Sequence, residues 1–146
     1  RGRLLPRHRQ LSNAEGGDSL AKARQDSLVV VDGGRAQNVG HVLEMVTEKY
    51  LLREASEWKA RQDSLGILDD ILECFKNNDI RRLAKLTTHN FNEPIQTIIP
   101  WASHLYTETL IERTRARFGE DFLGFWMLGG CSGGRMGFIF KPETKA

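Results

Sequence analysis

Cysteine is almost missing from this chain: Cys74 and Cys131 are the only two among its 146 residues. A secreted domain held together by disulfides carries more, so a reducing, cytoplasmic setting is expected. Long apolar runs are missing as well. No stretch approaches the roughly 20 consecutive apolar residues that span a bilayer, and the basic start lacks the apolar core of a secretory signal. Neither charge sign dominates. A formal net charge of +2 argues against nucleic acid or a membrane surface as partner. The four histidines (His8, His41, His89 and His104) are too scattered for the local spacing of a metal site, so no metal ligands are assigned. What is present is ordinary for one domain: 40% hydrophobic and 27% charged residues, enough for a buried core. The chain has no initiator Met and stops at Lys141 to Ala146 directly after a strand-like run, which reads as a piece of a longer protein, truncated at its C-terminus.

Residues 1–26 read as a basic and polar arm or linker, with Arg1, Arg3, Arg7, His8 and Arg9 clustered around Leu4 and Leu5. The domain proper is expected over 27–146. Ser27 to Asp32, with Val29, Val30 and Val31 in a row, has the β-branched content of a buried strand, ended by Gly33-Gly34. The period then changes. Val39, Val42, Leu43, Val46 and Tyr50 fall on one face of a helix that Asn38 would cap. A second helix is expected from about Ser56, as cap, to Lys76, with Leu65, Leu68, Leu72 and Phe75 as its apolar stripe and Asn77-Asn78-Asp79 as its stop. Asp79 would cap a third helix bearing Ile80, Leu83, Leu86 and Phe91. Pro94 would open a fresh turn over Ile95 to Ile99, closed by Pro100. Ser103 would cap a fourth helix, with Leu105, Thr109, Leu110 and Arg113 along it and Gly119 ending it. Strand character returns at Phe122 to Leu128 and again at Met136 to Phe140. Helices and strands are segregated along the chain, so the expected class is α+β, with helices packed on one face of a mainly antiparallel sheet. The heptapeptide Lys-Ala-Arg-Gln-Asp-Ser-Leu occurs at 22–28 and again at 59–65, but two copies do not make a repeat protein.

The most informative segment is Gly129-Gly130-Cys131-Ser132-Gly133-Gly134-Arg135, wedged between two apolar strands. Glycines there permit positive φ and a close approach of backbone to a ligand. Successive N–H groups in such a turn can cradle a phosphate, although a tight connection between strands also favours glycine. Gly129 and Gly134 have the spacing of a Walker loop, but Arg135 and Met136 stand where Lys and Ser/Thr are needed, and the next element is a strand instead of a helix. A dinucleotide-binding fingerprint fails for the same reason.

This segment, in its order with the upstream pieces, resembles the C-terminal half of GHMP-family small-molecule kinases, closest to the fucokinase-like sugar kinases. Leu128 to Gly134 is similar to that family's glycine-rich third motif. Leu28 to Arg35 is similar to its opening strand and turn, and Asn38 to Leu52 to the next helix in the family. The apolar Phe125-Trp126-Met127, the Cys131-Ser132 pair and Arg135 depart from the usual pattern. The resemblance implies a ferredoxin-like C-terminal domain of an ATP-dependent sugar kinase. It would need ATP and Mg²⁺ in the full-length enzyme and a sugar as substrate. The ATP-binding loop and the catalytic carboxylate lie in the family's N-terminal domain, so no catalytic residue is expected in this chain and the chain alone is expected to be inactive. Residues 129–135 would be the phosphate-facing loop, with Arg135 either facing phosphate or pointing to solvent. The stretch from His89 to Trp101, with His89, Asn90 and Trp101 in particular, would be a wall of the sugar pocket. Two other readings stay open: a non-catalytic regulatory or dimerisation module of a larger sugar-nucleotide enzyme, and a binding domain for a small anionic metabolite. A nucleophilic role for Cys131 is disfavoured, since no Cys-His neighbourhood is visible. Asp69-Asp70 with Glu73 reads as a solvated helix face.

Overall fold

The computed structural model describes residues 21–34, 39–128 and 134–144. Residues 21–27 are helical (α1) and run directly into β1 (Leu28–Asp32). The helical block comes next: α2 (Gly40–Leu52), α3 (Ala55–Asn77), α4 (Ile80–Asn90), a π-helical turn (Phe91–Ile95), the short α5 (Gln96–Ile98) and α6 (Leu105–Phe118). A single turn leads into β2 (Phe122–Leu128), then β3 (Arg135–Phe140). The three strands form one antiparallel sheet in the order β1-β3-β2. The chain is therefore α+β, with a block of helices packed against a mainly antiparallel sheet.

Alternation along the strands sorts their side chains into two faces. Met136, Phe138 and Phe140 of β3 share a face with Phe122, Phe125 and Met127 of β2 and with Val29 and Val31 of β1. That face carries the larger core, closed by Phe91, Ala102 and Ile111 from the helical block. Aromatic edges meet there, with Phe91 against Phe125 at 5.6 Å and Phe122 against Phe138 at 5.4 Å between ring centres. The opposite face, shared by Ile139 and its partner Leu28, carries a second core: Ile67, Ile71 and Cys74 of α3 and Ile80, Leu83 and Ala84 of α4 pack there, with Leu123 against them.

Besides this packing, one side chain hydrogen-bonds α4 to the outer edge of β2. The Phe125 N–H donates to Thr88 Oγ1 at 3.0 Å, and the Thr88 hydroxyl lies 3.4 Å from the Phe125 carbonyl. An edge strand's free backbone groups are thus occupied by a helix. The approach requires Gly124, where a Cβ would come within 2.5 Å of Thr88 Oγ1 and 2.6 Å of the Ala84 carbonyl oxygen.

Several local expectations are corrected. The buried stripe of α3 is Ala60, Ile67, Ile71 and Cys74, whereas Leu65 and Leu68 are exposed. Both stripes have helical spacing, and position on the sheet chooses between them. α3 is capped by Glu54, whose carboxylate accepts from the N–H groups of Ser56 and Glu57; Ser56 does not cap it. No residue of α2 is buried, and Leu43 and Tyr50 of its expected stripe are exposed. Asn38, its expected cap, lies outside the described residues. Pro94 opens no new helix. The chain stays helical through the π turn, whose wider winding accommodates a residue without an N–H. α6 begins one residue later than expected, with His104 as cap: the Thr107 N–H donates to His104 Nδ1 and the His104 N–H to Thr107 Oγ1. Thr107, Ile111 and Thr114 are its buried positions, and Leu105 is exposed. Residues 21–26, expected to be part of an arm, are helical, and Ala23 packs on the second core.

Candidate functional site

The described part of the site lies at one end of the sheet. β1 ends at Asp32, opposite Arg135, which in turn pairs with Leu128 of β2. Beyond Asp32 the Gly33 N–H donates to the Gly134 carbonyl at 2.7 Å. The next turn is tightened by Asp32 itself, whose Oδ1 accepts from the Gly34 N–H at 2.9 Å. Gly34 has φ of +71°, in the left-handed region where glycine carries no steric cost. The Asp-Gly-Gly turn that ends the first strand is therefore hydrogen-bonded to the last glycine of the connection between β2 and β3.

Of the expected loop residues, Gly129, Gly130, Cys131, Ser132 and Gly133 lie outside the described residues. Gly134 and Arg135 are described: the Gly134 carbonyl accepts from Gly33, and the Arg135 side chain is exposed at the start of β3. Asp32, directly opposite, turns its carboxylate onto its own turn.

His89, Asn90 and Trp101 are not brought together. Asn90 accepts a hydrogen bond from the Ser64 hydroxyl and so braces α4 against α3. Trp101 is 53% exposed, in the turn before α6. His89 alone faces a groove, with Nδ1 3.4 Å from a Glu93 carboxylate oxygen. That groove has a volume of about 630 Å³ and runs between α3 and the segment 89–97. Its α3 wall, including Lys59, Asp63 and Gly66, was not expected from the sequence. Gly66 was the available signal, since an interior helix glycine without a packing partner needs a reason.

Two carboxylates of the 69–73 helix face are tied into surface pairs. Asp70 meets Arg82 at 2.6 Å, and Glu73 meets Lys76 at 2.6 Å. The hydrogen bond and charge of Lys76 hold the Glu73 carboxyl below its ordinary range. Burial pushes the Cys74 thiol up, which keeps it protonated and unreactive. Among the described residues no group of three or more His, Cys, Asp or Glu is placed to hold a metal ion, and no helix is long and apolar enough to cross a membrane.

No protein-family model matches the chain, and no curated protein matches its sequence.

Proposed function

We propose that this chain is the C-terminal domain of an ATP-dependent sugar kinase of the GHMP type, fucokinase-like in its motifs. In this reading it supplies the loop that faces the transferred phosphate and part of the sugar pocket. The observation that carries the reading is the placement of the glycine-rich connection: it joins two adjacent antiparallel strands, and the Gly33-Gly34 turn of a third strand is bonded to its last glycine. A hydrogen-bonded sheet end at the foot of a glycine-rich segment is a suitable base for aiming backbone N–H groups at an anion.

Phosphoryl transfer asks the protein mainly for positioning and for stabilisation of the charge on the phosphoryl oxygens. The N–H groups of 130–134 would provide such donors, and Arg135 would add a cation at the loop's exit. ATP supplies the phosphoryl group. The ATP-binding loop and the carboxylate that activates the sugar hydroxyl belong to the N-terminal domain in this reading. The chain's own residues then act by binding and orienting.

The test is sugar-dependent ATP turnover. The purified chain should show none, and joining it to the N-terminal domain of its own polypeptide should produce turnover. Robust turnover by the chain alone would refute the division of labour.

A further inference from the structure

We propose that the outer face of α2 is the docking surface for the chain's own basic segment, residues 1–11. The helix itself sets the problem. α2 has 13 residues, and none of them is buried. A helix this short is marginal by itself in water and draws most of its stability from packing an apolar face. Its inner side meets α3: the Tyr50 ring lies 5.6 Å from the Trp58 ring, and Arg61 donates to the Val46 carbonyl at 3.0 Å. The outer side is open. Leu43, Thr47 and Leu51 follow one another at four-residue spacing, with Glu44, Glu48 and Leu52 in the row beside them. These six residues line a shallow groove. Leu43, Leu51 and Leu52 are 58%, 70% and 71% exposed, and apolar surface concentrated in this way marks a site of contact.

Charge chooses the occupant. The groove presents the carboxylates of Glu44 and Glu48, and among the described residues no Lys or Arg lines it. A second copy of α2 would bring the same two carboxylates against them, with no cation between, so charge opposes self-pairing through this face. Residues 1–11, which lie outside the described residues, have the complementary composition. Leu4, Leu5 and Leu11 stand among Arg1, Arg3, Arg7 and Arg9, and no acidic residue interrupts them. The leucines would cover the Leu43 and Leu51 stripe, and the guanidinium groups would meet Glu44 and Glu48, a pairing suited to the arginine fork. The segment can reach. Residues 12–20 join it to α1, and such a length spans up to roughly 30 Å when extended, while a domain of this size has a radius of gyration of about 15 Å. The covalent tether holds the segment near α2 at an effective concentration of order millimolar, so a weak contact is enough. None of residues 129–135 takes part, so this docking and the kinase reading stand or fall separately.

The test is paramagnetic broadening in the ¹⁵N-labelled chain, with a nitroxide on Gly2→Cys in a Cys131→Ser background; Cys74 is buried and stays unlabelled. Loss of the amide signals of Glu44, Thr47 and Glu48 is expected. The signals should recover at ~1 M salt, where the screening length shrinks to about 3 Å. They should also recover when Glu44→Lys and Glu48→Lys are combined, at positions exposed enough to leave the fold intact, and when Leu4→Asp and Leu5→Asp are combined. Broadening spread evenly over the chain, with α2 affected no more than the rest, would overturn the inference. So would broadening of α2 that persists in the folded Glu44→Lys, Glu48→Lys chain or in the Leu4→Asp, Leu5→Asp chain. A mixture of ¹⁵N-labelled chain without nitroxide and unlabelled chain with it should leave the α2 signals intact. Their loss in that mixture would assign the face to a second copy's segment and contradict docking within one chain.

Discussion

Gly124 and Thr88 form a close junction between α4 and β2. The Thr88 hydroxyl serves the exposed edge of β2, and it reaches there only because residue 124 has no side chain. A Cβ at 124 would collide with the Ala84 carbonyl as well as with Thr88, so moving one side chain does not relieve it. Gly124→Ala should therefore destabilise by at least about 1–3 kcal/mol, the usual cost of overpacking, read from the urea midpoint. Glu54 acts at the same scale. Hydrogen bonds from Glu57, then Ser56, hold its carboxyl below the ordinary value of 4.5. A depressed carboxyl contributes stability that is complete above the unfolded value and is lost as pH falls through the folded one. Stability should thus fall on acidification below about pH 4.5, and Glu54→Gln should flatten that part of the profile. An unchanged slope in the variant would show that the cap's charge contributes nothing.

At the scale of elements, the sheet and the inner face of α4, with Ile80, Leu83, Leu86 and Phe91, were legible, and the inner faces of α2, α3 and α6 were not. The expected strands at 27–32, 122–128 and 136–140 match Leu28–Asp32, Phe122–Leu128 and Arg135–Phe140 to within a residue at each end. Their β-branched and aromatic runs are bounded by glycines, so nothing competes with the reading. The span of α3 was legible as well. Its buried face was not, because Leu65, Leu68 and Leu72 look more hydrophobic than a stripe containing Ala60, Ile67 and Cys74. Burial is settled by contact with α4 and with Ile139, which no local pattern encodes. The distinction is measurable. Ile71→Ala should cost about 2–5 kcal/mol, whereas Leu65→Ala, at a position 63% exposed, should stay within about 0.5 kcal/mol. The repeated heptapeptide makes the same point. Lys22 pairs with Asp26 and Lys59 with Asp63, so both copies build the same one-turn pair. The first copy nevertheless ends by entering β1 at Leu28, while the second continues as helix through Leu65. The residues C-terminal to each copy decide between the two outcomes: Val29 to Val31 pair with β3, whereas Ile67 and Ile71 pack on α4.

At the scale of the whole molecule, the functional reading depends on one arrangement: the end of β1 meets the two ends of the glycine-rich connection, far from it in sequence, at one end of the sheet. The motif order made the glycine-rich connection visible, but it could not reveal the Gly33–Gly134 hydrogen bond, which depends on the register of β1 against β3. Nor could it separate His89, which faces a groove, from Asn90, which braces two helices, since neighbours on a helix point in different directions. On the proposed kinase reading, the most direct measurement is Gly133→Val in a polypeptide that carries this domain together with the N-terminal kinase domain the reading requires, with kcat and melting temperature determined on the same preparation. Loss of one well-aimed donor costs roughly 3–4 kcal/mol of transition-state stabilisation. kcat should therefore fall by about two to three orders of magnitude while the melting temperature moves only slightly. An enzyme that keeps its kcat but melts well below the parent would contradict the account and leave the glycine-rich segment as a turn between strands.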